Sequence, residues 1–501
     1  YGDHRDLHRV DRRQRQMCIR DRIAGRRLPR PGGWLAAAAA LGGTSVYLYL
    51  PLRAAQAPLL NWGNARTAGA FVAHVARRMY GGPDLSRLPF VGDHWRELGA
   101  LAWREFGPAA VLVAAAGFVA GWRKDKKLWG ALGVAALLTG PIATVALTLS
   151  LHTHQLVGIE VWYLPFFLVV AVAAGGAFSS GCTSGKFVIR LGAYGAAAAL
   201  PLFAFYSNLP HNNYRSYTYA ADFGGDFLRT LGYRGQNIMF EGSSLGVFEA
   251  AYYKKVEGKR PDHTFWDVTG RVFAPAPIGA WDDVVEESLL SAGRPTYYNV
   301  LRAAPICYGY SLEPAGLLFR AFLVPFERSG LSPVWGRYVW KDAVRGEMPD
   351  GARWRSDPAA RAAWVKYRVM WASDSFVAGD RTAALSALGG ARSVAAGLPE
   401  ELGEIAVTYM VMGEAARAAA VFGEAADAVP RRGRGDVANR VRYAGFKNNQ
   451  AMALLATGDV EGAAASLAAS LAAYPDQPEI RRLAQLDELA RKAKAMKGER
   501  P

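Results

Sequence analysis

The residues best placed to do chemistry lie in Tyr47–Gly82, YLYLPLRAAQAPLLNWGNARTAGAFVAHVARRMYGG. Arg53, Arg66, His74, Arg77 and Arg78 supply cations within one stretch, while Asn61, Trp62 and Asn64 sit in an irregular turn between them. Cations bordering an apolar run can hold a lipid phosphate and stabilise charge at a membrane surface. The same side chains also suit a structural part, snorkelling or anchoring an interfacial helix. Glu160 precedes Trp162-Tyr163-Leu164-Pro165 at a helix mouth, where a capping charge at a helix N-terminus accounts for it. His152, His154 and Glu160 read as interfacial polarity, because two histidines and a distant carboxylate fix no coordination geometry. Cys18, Cys182 and Cys307 are too scattered for a metal site, so no metal or cofactor is identified.

The elements that must position these groups begin with an apolar helix. Its Tyr47 and Tyr49 fall where an aromatic belt meets the bilayer surface, and Pro51 is expected to stop it. An amphipathic helix is expected from Arg66 to Tyr80, with Ala68, Phe71, Val72, Val75 and Met79 on one face and the cations and His74 on the other. Five membrane spans are expected, at 33–52, 106–122, 128–150, 161–181 and 187–206, joined by an interfacial loop at 53–105. The 59 Lys+Arg against 43 Asp+Glu give a net charge of +16, concentrated at the N-terminus and in short loops between apolar runs. That placement points to membrane orientation and not to nucleic acid. Arg123–Lys127 (RKDKK), Lys186 and Arg190 mark the cytoplasmic side, which puts everything after Tyr206 on the outer face of a bacterial inner membrane. Residues 1–22 lack apolar periodicity, and their RQMCIRDR portion resembles translated assembly adaptor. They are set aside from fold reasoning, and the natural protein is expected to extend upstream.

After Ser207 the pattern changes to strands alternating with helices. Helices are expected at Tyr219–Leu231, Leu245–Glu257 and Trp281–Ala292, and strands at Asn237–Glu241, Thr264–Val268 and Pro295–Leu301. This is the pattern of a small α/β layer with a parallel sheet, over 207–345. Gly242-Ser243-Ser244 at the first turn reads as an ordinary capped helix start. From 365 to 490 the chain repeats. Gly379, Gly413 and Gly458 each end a first helix, with Ala372, Ala406 and Ala451 before them and Ala384, Ala418 and Ala463 after. Leu388, Phe422 and Leu467 follow, and the step from Gly379 to Gly413 is 34 residues, the tetratricopeptide period. Small side chains at those offsets let paired helices approach closely, and such arrays bind protein partners or brace a neighbouring domain.

Two sets of residues carry a family resemblance. Tyr49-Leu50-Pro51-Leu52-Arg53-Ala54, then Leu60-Asn61-Trp62-Gly63-Asn64, then His74 and Arg77-x-x-Tyr80-Gly81 form the first. Phe240-Glu241-Gly242, Tyr253-x-x-Val256-Glu257-Gly258-Lys259-Arg260-Pro261-Asp262 and Glu313-x-x-Gly316-Leu317-Leu318-Phe319-Arg320 form the second. Together they resemble a bacterial family of multi-spanning membrane proteins of unassigned function, similar to the protein O-mannosyltransferases of the GT-C glycosyltransferase class. The resemblance implies transfer of a sugar from a polyprenyl-phosphate donor to a protein or glycan on the outer face. On that transferase hypothesis Arg53, Asn61, Trp62, Asn64, Arg66, His74, Arg77, Arg78 and Glu160, by their placement at the outer interface, are the candidates for binding the lipid phosphate or donor. The catalytic acid of such enzymes lies in a first outward loop upstream of these residues. Asp84, Asp93 and Glu105 match no motif, so this stretch alone is expected to be inactive. Where that family has Gly-Asp at the first turn, Ser243 and Ser244 stand here. The alternative is a non-enzymatic, membrane-anchored scaffold that recruits envelope proteins through its repeats. A transporter is disfavoured, because the spans hold almost no charge.

Overall fold

The computed structural model describes residues 45–56, 65–75, 91–142, 163–212, 218–232, 235–240, 246–267, 273, 289–293, 295–301, 310–323, 330–345, 347, 354–355, 357–429 and 437–480. Tyr1–Ala76 forms one compact unit and Arg77–Pro501 a second.

In the first unit a 3-10 turn, Val46–Leu48, leads into helix α1, Tyr49–Ala55. Pro51 does not stop this helix. It lies in the first turn, where a missing N–H breaks no intrahelical bond. Helix α2, Ala68–Val75, falls within the expected amphipathic helix but starts two residues later, Arg66 and Thr67 lying in the turn before it; residues 76–80 lie outside the described residues. Val72 and Val75 are exposed on it and His74 is half-buried, so apolar surface faces outward.

The second unit opens with α3 (Val91–Lys124), α4 (Lys126–Leu137, running into a π turn at Leu138–Ile142), α5 (Leu164–Cys182) and α6 (Phe187–Asn212). Among the described residues three segments are long and apolar enough to cross a membrane: Leu98–Lys124, Leu164–Cys182 and Phe187–Leu209. At 1.5 Å per residue the shortest of them spans roughly 28 Å, close to a bilayer's hydrocarbon thickness. They correspond to the expected spans at 106–122, 161–181 and 187–206. Of the other two, residues 33–44 and 143–150 lie outside the described residues.

Small residues let these helices meet. A methyl group at Gly117 would collide with the Ala173 carbonyl, and one at Gly121 with the Trp129 indole. Helix α3 breaks at Gly107-Pro108, where Gly107 has φ 77°. The Glu105 carbonyl freed beside the break accepts from Asn208 Nδ2 at 3.1 Å. At the other end Lys124 Nζ donates to Ser180 Oγ at 2.9 Å. These two contacts set the directions: α3 and α5 run the same way and α6 returns. Arg123–Lys127, Lys186 and Arg190 therefore gather at one end, and the chain leaves α6 at the opposite end.

Beyond α6 come α7 (Tyr219–Thr230), β1 (Asn237–Phe240), α8 (Val247–Ala251, extended by a π turn to Val256), β2 (Thr264–Asp267) and β3 (Thr296–Tyr298). A hairpin follows, β4 (Tyr310–Ala315) and β5 (Leu318–Leu323). The sheet order is β2-β1-β3-β5-β4. β1 pairs in parallel with β2 and β3, as the alternating pattern predicts, but β5 is antiparallel to both β3 and β4. The sheet is thus mixed and not wholly parallel. The hairpin escapes the sequence pattern because Glu313, Pro314 and Arg320 interrupt its apolar character. Pro314 is tolerated because β4 is an edge strand. Gly316, at φ 71°, takes the first central position of the two-residue turn, as a type II′ hairpin requires. The expected helix at Trp281–Ala292 falls mostly outside the described residues.

A short helix, α9 (Lys341–Arg345), precedes three helix pairs: α10 (Pro358–Val377) with α11 (Arg381–Val394), α12 (Pro399–Val411) with α13 (Ala415–Ala428), and α14 (Val437–Ala456) with α15 (Val460–Ala473). Gly379, Gly413 and Gly458 stand in the three intra-pair turns at φ 90°, 77° and 82°. Each closes its helix in the left-handed conformation. Ala372, Ala406, Ala451, Ala384, Ala418 and Ala463 are all fully buried where the paired helices touch. One apolar core runs from Phe223 and Tyr298 through Trp335, Tyr338 and Tyr367 to Phe422 and Ala453, so the α/β layer and the helix pairs are continuous.

These turns predict a contrast. Gly413→Ala should destabilise the chain by about 1–2 kcal/mol, because a Cβ disfavours positive φ. Gly389→Ala, at an exposed mid-helix position with open space around it, should stabilise by about 0.5–1 kcal/mol. Denaturant unfolding of the two variants checks both signs.

Candidate functional site

In the first unit, the structure brings together two of the candidate cations. Arg53 lies in the last turn of α1 and donates from Nη1 to Gln56 Oε1 at 2.9 Å. Arg66 reaches back from the following segment, its Nε donating to the Ala54 carbonyl at 2.8 Å. Both exposed guanidiniums thus stand at one helix C-terminus, where the carbonyl ends of the helix favour cations. Arg66 has a structural duty there, while Arg53 bonds Gln56 through Nη1 alone among the described residues. His74 is half-buried on α2, and its Nδ1 has no hydrogen-bond partner among the described residues. Asn61, Trp62, Asn64, Arg77, Arg78 and Glu160 lie outside the described residues.

The second place to look is the sheet. Its order reverses at β1, with β2 on one side and β3 on the other, and open α/β sheets bind ligands beyond the carboxyl ends of strands at such a reversal. Buried Asn299 stands one residue past the carboxyl end of β3. The turn expected at Gly242-Ser243-Ser244 lies outside the described residues.

The opposite, amino end of the sheet holds the motif residues 253–262, and their geometry is that of a clamp. Gly258, at φ 66°, lets the chain leave the π turn of α8. Arg260 adopts a left-handed φ of 54° and donates to the carbonyls of Leu228, Leu231 and Gly232 at the C-terminal end of α7. Lys254 Nζ donates to the carbonyls of Arg260 and His263, and burial lowers its pKa. Lys259 pairs with Glu257 at 2.7 Å and lies over the Tyr253 ring. The His263 side chain is fully enclosed. Its Nδ1 accepts from Gln236 N at 3.1 Å, which leaves the proton on Nε2, 3.6 Å from Asp262 Oδ2. Burial, and then the nearby Arg260 charge, hold this imidazole down to about 4. These residues fasten α7 and α8 to the strand starts, which accounts for their pattern without a ligand.

Two buried carboxylates escape sequence reasoning. Asp226 on α7 is 0% exposed. It accepts from Val339 N at 2.7 Å, Trp340 N at 3.0 Å, Tyr367 Oη at 2.7 Å and Arg229 Nη1 at 2.8 Å. Asp374 on α10 accepts from Ser332 N at 2.8 Å and Trp335 Nε1 at 2.6 Å. Beside Asp226, Thr230 Oγ1 donates to the Asp226 carbonyl, so the Tyr338 hydroxyl donates to Thr230 at 2.7 Å and accepts from Leu317 N at 2.9 Å. Burial drives the Tyr338 and Tyr367 hydroxyls well above the usual phenol range, so both stay neutral donors. A methyl group at Gly316 would collide with that Tyr338 hydroxyl, which explains the Gly in the Glu313–Arg320 motif. No single-sequence signal marks these acids, because Val339, Trp340 and Tyr367 lie more than a hundred residues from Asp226, and Ser332 and Trp335 lie 42 and 39 residues from Asp374.

Among the described residues no group of three or more His, Cys, Asp and Glu is arranged to hold a metal ion. No family model, curated protein or solved structure matches the chain.

Two outcomes follow from the geometry. Asp226→Ala strands donors from three elements and should cost about 3–5 kcal/mol, whereas Tyr367→Phe removes one of four donors and should cost about 1–2 kcal/mol, both read by denaturant unfolding. His263 gives a pH signature. An unfolded histidine titrates near 6.5 and the folded one near 4, so between these values the unfolded chain binds the extra proton. Stability should be full above pH 6.5, fall by up to about 3 kcal/mol on acidification to pH 4, and level off below. His263→Asn should flatten that slope.

Proposed function

We propose that this chain is part of an integral membrane glycosyltransferase-like protein that takes a sugar from a polyprenyl-phosphate donor and passes it to a protein or glycan on the outer face. The observation that carries the reading is the convergence of Arg53 and Arg66 on one helix end, within the motif whose residues resemble that transferase class. Arg53 would hold the donor phosphate and Arg66 would keep the helix end in place. The membrane helices add support: their cations gather at one end and the chain departs for its folded portion from the other. With those cations on the cytoplasmic side of a bacterial inner membrane, the α/β layer and helix pairs stand outside. The helix pairs, read as tetratricopeptide-like repeats, would engage the acceptor or another envelope protein.

The three helix pairs fit the scaffold reading equally, as an array that recruits envelope proteins. Asp226 and Asp374 are committed to structural donors, so on the transferase reading the catalytic acid is neither of them.

The test is sugar transfer from a polyprenyl-phosphate donor, measured in membranes carrying the complete gene. Arg53→Gln should lower transfer about tenfold, the loss of one charge-assisted contact to phosphate, with unchanged membrane levels. Transfer that is absent in the wild type, or unaltered in Arg53→Gln, would leave the scaffold.

A further inference from the structure

The basic end of the membrane helices has a chemistry of its own. The Lys124 ammonium bonds Ser180 Oγ and draws the loop between α3 and α4 against the last turn of α5. A four-residue turn then starts α6, and a methyl group at Gly181 would press on the Ala193 side chain. α5 and α6 are therefore in contact at this end, which keeps Lys186 and Arg190 beside the loop. Arg123, Lys126, Lys127, Lys186 and Arg190 are all exposed, and none forms an ion pair among the described residues.

Little negative charge is at hand to answer them. Between Glu105 and Glu160 the sequence has one acid, Asp125, and after Glu160 the next is Asp222. Asp125 Oδ1 accepts from the backbone N–H groups of Lys127 and Leu128 at 3.0 and 3.1 Å, so its charge sits at the N-terminus of α4. At the same level Trp122 stacks on Phe118 with 43% of its surface exposed, an indole at headgroup depth. Leu128, Val188 and Leu191 leave exposed apolar surface just beyond the cations.

We propose that this end is a binding site for anionic phospholipid, with the phosphodiester between Lys126 and Lys127 on one side and Lys186 and Arg190 on the other, and acyl chains along the adjoining apolar surface. The proposal rests on the membrane reading of the three apolar helices and is independent of sugar transfer. A basic cluster at a helix end offers the charge, the indole and the apolar flank that such a lipid needs together.

The test uses the full chain in detergent, with native mass spectrometry counting retained phosphatidylglycerol against phosphatidylcholine of equal chain length. The wild type should retain phosphatidylglycerol preferentially, and the preference should weaken at high salt. Lys126→Gln/Lys127→Gln and Lys186→Gln/Arg190→Gln should each weaken phosphatidylglycerol binding about 25-fold, at roughly fivefold per cation, and leave phosphatidylcholine unchanged. Equal retention of the two lipids by the wild type, or unchanged retention by both variants, overturns the proposal. So does displacement of the lipid by millimolar inorganic phosphate, which would mark a free-anion site. An alkaline wash of membranes separates the underlying reading: extraction of the wild-type chain by the wash overturns the membrane assignment itself.

Discussion

A buried carboxylate holds the folded part of this protein together. Removing an ionised carboxyl group from water costs several kcal/mol, so Asp226 persists at zero exposure only because four donors surround it. Two are backbone N–H groups of Val339 and Trp340, one is the Tyr367 hydroxyl on α10, and one is the Arg229 guanidinium a turn away. To supply those backbone donors, residues 330–340 must cross α7, and that path also delivers Ser332 N and the Trp335 indole to Asp374. The crossing segment is thus pinned at two acids, one on each side of it. Aromatic rings fill the space between. Trp335 meets Tyr338 and Trp371 edge-on, Tyr338 meets Tyr367, and Trp340 meets Tyr367 and Trp354. The α/β layer and the helix pairs consequently share one core.

The two halves of the second unit solve packing in opposite ways. Around α7 and α8, long charged side chains close helix ends: Arg260 takes the carbonyls ending α7, and Lys254 those of the loop beside His263. This works where water can solvate the rest of each side chain. Between α3, α4 and α5, Gly117, Gly121 and Gly176 admit neighbouring backbone or the Trp129 ring. Polar contacts stand near the helix ends, Lys124 with Ser180 and, from α6, Asn208 with the Glu105 carbonyl beside the Gly107 break. Polar contacts there align the helices without placing charge in their apolar middle.

Several features were legible in the residues alone. The Gly and Ala offsets from Ala372 to Leu467 predict paired helices, because positive φ and close approach are demands that few side chains meet. The apolar runs predict the three long helices, and alternation predicts β1, β2 and β3. Pro51 misled, because a proline at a helix start and one at a helix stop look alike without the neighbouring turn. The hairpin Tyr310–Leu323 was hidden by Glu313 and Pro314, which only an edge strand accommodates. Of the candidate site, the sequence showed the cations but not their grouping. Arg53 and Arg66 share one helix end because a guanidinium can reach a helix-end carbonyl twelve residues back.

What the sequence by itself determined is local: where helices start and stop, which runs are apolar enough for lipid, and where turns demand glycine. These depend on neighbours within a few positions, so spacing suffices to read them. Tertiary structure decided the rest, namely that the sheet is mixed, that the 253–262 motif is a clamp, and that Asp226 and Asp374 bind the crossing segment. Each depends on donors and acceptors far apart along the chain meeting away from water, and no local pattern encodes that meeting.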